Sequence, residues 1–282
     1  MTTTLLPHKR KYGGGASSVR TGSSIREARG GWLLSALIVL LLIGSWQGVI
    51  WVKHLEPWLL PSPWEVLQSL GSEETRTLIL TNMGVTLTEA VVGFLLCLLV
   101  GIGLAVLMFW SRILHDALYP LIIASQAVPI IAIAAVLVVV LGYGLTPKVV
   151  VVVLFSFFAV TISVYDSLQT LDPELPAVLR TLGATPWQVL RTARLPAALP
   201  GVFTGAKLAI TYSISAAVYS EWVGSTGGLG YILQQSANQF AAAQVFAIVF
   251  VLAALGIVAF TLVALLERLC IPWAHQNTQH SR

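Results

Sequence analysis

Charge is what this chain has least of. Asp, Glu, Lys and Arg together make up only 10% of its 282 residues, against about 25% in a soluble domain, which is too few to solvate a sizeable water-soluble body. Cysteine is scarce as well. Cys97 and Cys270 are the two thiols, both in apolar stretches where they read as packing residues, so neither a disulfide framework nor a thiolate metal site is expected. The histidines His8, His54, His115, His275 and His280 stand in tails and loops, none in ligand spacing. The sequence also lacks a Ser/His/Asp grouping, a paired-carboxylate site, a Walker-type phosphate loop and a glycine-rich dinucleotide turn. The chain therefore does not read as an enzyme, and no cofactor of its own is expected.

What is present is apolar length. Hydrophobic residues make up 56% of the chain, gathered into six runs that approach the roughly 20 residues needed to cross a bilayer as a helix. They cover 33–52, 86–109, 117–141, 149–165, 201–220 and 243–266. The fourth is short but sharply bracketed by Lys148 and Asp166. None alternates like a barrel strand, and backbone groups in lipid must be satisfied within the segment. The expected fold is all-α: a polytopic membrane protein with six transmembrane helices in one domain over 32–270. Residues 1–31 are basic and rich in Gly, Ser and Thr, and read as a disordered cytoplasmic tail; 271–282 read as a cytoplasmic C-terminal tail. The first run is too long for the apolar core of a signal peptide and has no convincing cleavage site, so it reads as an uncleaved span.

Orientation follows from the basic residues. With the N-terminus in the cytoplasm, thirteen Lys and Arg residues fall inside, and three, Lys53, Arg76 and Lys148, fall outside. The net charge of +4 thus expresses topology, and no basic face points to nucleic acid. Lys207 lies near the inner end of the fifth run, where its stem can snorkel to the cytoplasm.

This topology places 166–200 on the cytoplasmic side, and that loop carries two helix starts in succession. Asp172 can N-cap a helix with Pro173 at its first position, and Gly183 can supply the left-handed residue that ends it. Thr185 and Pro186 repeat the start signal, and the second short helix is expected to end near Pro196. Val178, Leu179 and Leu182 would share one face of the first helix; Trp187, Leu190 and Ala193 would do likewise on the second. By physics alone the pair reads equally as a hairpin lying on the bilayer or as a surface presented to a partner.

The spacing within this loop resembles the cytoplasmic loop of type I ATP-binding-cassette importer permeases. That pattern reads Glu-Ala-Ala, three residues, Gly, nine residues, Ile, any residue, Leu-Pro. Gly183 is followed after nine residues by Ala193, Arg194, Leu195 and Pro196. Ala177 stands where the pattern has Glu, and Ala193 where it has Ile. The resemblance extends over roughly 55–270. It includes Leu60-Pro61-Ser62-Pro63, Gln126-Ala127-Val128-Pro129, Gly142-Tyr143-Gly144 through Lys148, Leu199-Pro200-Gly201, and Glu221-Trp222-Val223-Gly224 through Gly228-Leu229-Gly230-Tyr231. A Pro six residues after Pro129 is Ala135 here.

The resemblance implies a permease subunit in the membrane of a bacterial cell, with both termini cytoplasmic. Two permease chains, presumed identical, would form a pathway at their interface. A separate ATPase dimer, which alone binds ATP, would sit beneath, and an extracytoplasmic solute-binding protein would dock above. Val178, Leu179, Leu182, Gly183, Ala184, Trp187, Leu190, Leu195 and Pro196 are the expected ATPase-coupling residues. For the pathway or its gate, Ser125 and Gln126 beside the helix-kinking Pro129, together with Glu221 in its glycine-rich surroundings, are the candidates. Glu89 reads either as a functional carboxylate or as a solvated helix end. Gly101 and Gly103 are expected to permit close helix approach. The likeness is greatest to the branch handling sulfonates, nitrate and vitamin precursors, thiamine pyrimidines among them. An ion-coupled secondary transporter or a non-transporting scaffold would also be apolar and polytopic. The first needs mid-membrane coupling groups on repeated halves, of which there is no sign.

Overall fold

The computed structural model describes residues 24–170 and 174–272. The expected cap at Asp172 and most of both tails lie outside the described residues. Among the described residues every regular element is helical. The described residues up to His54 and those from Leu55 onward form two separate compact units. The first contributes one helix, α1 (Ser24–Lys53), which starts ahead of the run expected at 33 and so extends into the segment read as a tail.

Among its described residues the second unit holds ten α-helices: α2 (Pro63–Gly71), α3 (Glu73–Trp110), α4 (Arg112–Ser125), α5 (Ile130–Leu141), α6 (Leu145–Gln169), α7 (Glu174–Thr181), α8 (Pro186–Val189), α9 (Leu195–Glu221), α10 (Leu229–Asn238) and α11 (Ala242–Cys270). Among the described residues five helical stretches are long and apolar enough to span a membrane, and there are six when the bent pair α4–α5 is counted as one span. α3 begins well before residue 86 because Ser72 accepts the Thr75 N–H at its N-terminus, with Glu73 and Glu74 in the first turn.

Two expectations are corrected. The run 117–141 is not one kinked helix: α4 and α5 meet at 97°. Pro129 adopts extended geometry as the N-cap of α5 and disfavours helical geometry at the residue before it, so the run is split. At 12 residues, α5 is about 18 Å long, too short to cross alone. Nor does the second short helix end near Pro196. α8 continues through one π-turn (Leu190–Arg194) into α9, giving a continuous Pro186–Glu221 stretch. Leu195 donates its N–H to the Leu190 carbonyl, five residues back. The wider turn opens the hydrogen-bond ladder just where Pro196 has no N–H to give.

The core is a triple packing of α3, α6 and α9. Gly93 and Gly101 on α3 lie so close to Val152 and Val160 of α6 that a Cβ would collide with them. Gly201 and Gly205, one turn apart on α9, face Ser167 and Val160 of α6 in the same way. Without a hydrophobic drive between helices in lipid, this close approach is what gains van der Waals contact. Gly103, paired with Gly101 in the sequence reading, faces open space. Cys97 is fully buried in this core, but Cys270 is exposed, so the packing assignment fails for the second thiol, which sits at the last residue of α11.

Candidate functional site

Two ends of the helical unit carry polar or interactive features. At the loop end, α7 closes as the sequence anticipated. Gly183 is left-handed (φ 84°), Ala184 donates to the Leu179 carbonyl at 3.0 Å, and Gly183 donates to that of Arg180 at 3.0 Å. This is a Schellman closure, which only a residue tolerant of positive φ accommodates cheaply. Two residues on, Thr185 and Gln188 form a reciprocal capping box: the Gln188 N–H donates to Thr185 Oγ1 and the Thr185 N–H to Gln188 Oε1. Pro186 occupies the first turn. The elbow between α7 and α8 is thus fixed by hydrogen bonds on both sides.

The expected contact residues divide on this scaffold. Leu182 is 78% exposed, Trp187 57% and Val178 54%; Gly183 and Pro196 are exposed, while Leu179, Ala184 and Leu195 are half-buried. Leu190 is 1% exposed and belongs to the core, as does the buried Ala193. Trp187 and Leu190 therefore do not share an outer face: Leu190 packs into the core while Trp187 stays exposed. The Trp187 ring lies 6.2 Å from that of Trp110 at the end of α3. Arg194 stacks 4.7 Å over Phe109 and donates to the Leu168 carbonyl at 3.0 Å. The short helices are thereby rooted on the ends of α3 and α6. Nearby, Lys207 does not snorkel freely but pairs with Glu267 of α11 at 2.8 Å.

At the opposite end a buried polar knot joins four helices, α3, α6, α9 and α10. Glu221, the last residue of α9, is 1% exposed. It accepts hydrogen bonds from Thr86 Oγ1 at 2.6 Å and from the Gly230 and Tyr231 N–H groups, and so caps the N-terminus of α10 with a carboxylate. Thr86 in turn accepts from the Leu229 N–H at 2.7 Å, and Asn82 from the Gly228 N–H at 2.8 Å. Gly228 has φ 108°, and a Cβ there would overlap the Glu221 carboxyl group. Beside this, Lys148 donates to Glu89 Oε1 at 2.6 Å and to Ser225 Oγ at 2.7 Å. Glu89 is 1% exposed, which overturns the solvated-helix-end reading. A cleft of about 440 Å³, lined in part by Thr88, Glu89, Gly144 and Lys148, opens alongside.

The remaining pathway candidates sit apart from the knot, at the α4–α5 break. Ser125 Oγ donates to the Ile122 carbonyl, and the Gln126 amide donates to Ser125 Oγ at 3.1 Å. Both are half-buried and Pro129 is exposed. Sequence reasoning missed Asn82, Thr86 and the inward role of Lys148. A signal was there: Asn82, Thr86 and Glu89 recur at i, i+4 and i+7 within an apolar helix, one polar stripe on one face.

Comparison with known proteins fits this architecture. The family described as "Binding-protein-dependent transport system inner membrane component" matches residues 97–271. The formylaminopyrimidine transport permease protein ThiX of Halalkalibacterium halodurans is 36% identical over 84% of this chain and 94% of its own length. The riboflavin transport system permease protein RibX of Chloroflexus aurantiacus is 31% identical over 83% and 88%, and the taurine transport system permease protein TauC of Escherichia coli 28% over 88% and 94%. In solved structures, a chain of the inward-facing MetNI methionine ABC transporter matches with a TM-score of 0.63 at 22% identity, covering 70% of this chain and 98% of that one; this likeness concerns the fold. The chain therefore belongs to the binding-protein-dependent transport permease family, as a multi-pass, non-enzymatic permease subunit of an ATP-binding-cassette importer.

Proposed function

We propose that this permease carries a small nitrogen heterocycle of the thiamine-pyrimidine-precursor type, and that α7 and α8 are its levers onto a partner ATPase dimer. The observation that carries the coupling role is the exposed apolar edge Val178, Leu182 and Trp187 on helices whose ends are fixed by the Schellman closure and the capping box. Large apolar groups left in contact with water on a rigid frame suit an interface. Leu190 and Leu195 then hold the lever root, and Gly183, Ala184 and Pro196 set its shape. ATP bound by the partner biases two packings of whole helices.

Two copies of the chain would enclose the pathway, in a bacterial inner membrane with both termini cytoplasmic. The knot around Glu221 would then face outward, toward an extracytoplasmic solute-binding protein, with Glu221 holding the outer turn and Ser125, Gln126 and Pro129 flanking the broken span. Support for the heterocycle comes from the extent of likeness to the formylaminopyrimidine and riboflavin permeases. The taurine permease keeps a sulfonate as the second reading.

The test is solute uptake into vesicles containing this chain, its ATPase and its binding protein, with a formylaminopyrimidine, riboflavin, taurine and nitrate as alternatives. ATP-dependent accumulation of the pyrimidine alone supports the reading, and accumulation of taurine alone replaces it. Uptake that follows a proton or sodium gradient without ATP would overturn the coupling role.

A further inference from the structure

The coupling-loop end of the unit contains a cavity of about 640 Å³ that the transport reading does not use. It lies where α3, α4, α6 and the π-turn converge. Its charged lining comprises Arg112 at the first position of α4, Arg194 in the π-turn, and Asp116, with His115 between. Asp116 is already engaged, 2.9 Å from His115 Nδ1, and the His115 ring stacks on Tyr165 at 4.8 Å. Neither arginine belongs to an ion pair among the described residues. Arg194 spends one N–H on the Leu168 carbonyl and one face on Phe109, leaving further guanidinium donors free. Two guanidiniums against one committed carboxylate leave the cavity short of an acceptor-rich anion.

We infer that this cavity is a binding site for a phosphate group, held between Arg112 and Arg194. Guanidinium forks match phosphate oxygens in bidentate geometry, and these charge-assisted bonds are stronger than neutral ones. Phosphate chemistry reaches this depth from two sources, the head group of an anionic lipid in the cytoplasmic leaflet or a soluble phosphate. The cytoplasmic placement rests on the topology proposed above; the chemistry of the cavity does not. The consequence is specific. Arg112 opens α4, and Arg194 roots the coupling helices on α3 and α6, so an anion spanning the two would tie the lever root to the broken span and stiffen it.

The test uses the purified full chain. In phosphatidylcholine nanodiscs its unfolding temperature is followed against inorganic phosphate. In parallel, native mass spectrometry compares retention of phosphatidylglycerol with retention of phosphatidylcholine. Arg194→Gln also removes the bond to Leu168, so Arg112→Gln is the deciding variant, Arg112→Lys the graded one and Arg76→Gln the remote control. The expected result is saturable phosphate stabilisation, or preferential retention of phosphatidylglycerol, weakened at least about tenfold by Arg112→Gln. Arg112→Lys should fall between, and Arg76→Gln should match the parent. A phosphate response without lipid preference names the soluble source; lipid preference without a phosphate response names the head group. No response in the parent chain, or an equal response in Arg112→Gln, overturns the site. Because no transport is measured, failure of the uptake assay leaves this result readable by itself.

Discussion

The two ends of this permease solve opposite problems. At the Glu221 end the polar groups are turned inward and largely consume one another: carboxylate, hydroxyl, amide and ammonium close a network across α3, α6, α9 and α10. At the loop end the turn between α7 and α8 is closed by backbone and capping hydrogen bonds, but the apolar side chains of Val178, Leu182 and Trp187 are left in the open. One end is largely satisfied within the chain, and the other leaves apolar side chains open. On the proposed coupling role, changes at the first should cost stability and changes at the second partner binding, so the two should be separable by experiment.

The largest effect should come from unpairing the knot. Lys148→Met strands Glu89 as a buried charge, a loss of about 3–5 kcal/mol, seen as a large drop in the unfolding temperature of the purified chain. Adding Glu89→Met should restore most of it, since an apolar pair of similar volume avoids the desolvation cost. An unchanged midpoint in the single variant would mean that the ion pair contributes nothing to stability. Gly228→Ala should follow, at about 2–3 kcal/mol, because a Cβ meets the Glu221 carboxyl group at a positive φ.

At the other end the pattern should invert. Trp187→Ala should scarcely move the unfolding temperature, yet weaken ATPase association by about 2 kcal/mol or more, measured as binding of the partner to the chain in nanodiscs. Normal association and uptake would remove Trp187 from the interface. Thr185→Ala should be the smallest, about 1 kcal/mol from loss of the cap, read as faster hydrogen exchange confined to α8. Exchange spreading to α10 would show that the two ends are coupled after all.

Much of the loop end was legible because its determinants are local. Gly183, Thr185 and Pro186 act on backbone groups within a few residues, and their spacing announces a stop followed by a start. Pro196 was misread for an instructive reason. A proline removes one hydrogen bond, and the expected remedy was to end the helix, whereas the chain inserted a π-turn six residues before it. Leu190 was misplaced because its direction is decided by packing against the core of α3, α6 and α9, which a local periodic pattern does not show. At the other end, Glu89 and Glu221 stood out as costly residues in apolar surroundings, but their partners lie 59 and 135 residues away along the chain, beyond any local pattern.

By itself the sequence determined that this chain is a bundle of membrane helices, and where α7 stops and α8 starts. These follow from hydrophobic length and capping, each set by neighbours along the chain. Only the tertiary structure decided that one span breaks at 97°, that Lys148 turns inward to Glu89, and that Glu221 caps α10. Those outcomes depend on which helix faces meet, and a buried polar group is satisfied by whatever the packing brings within hydrogen-bond reach.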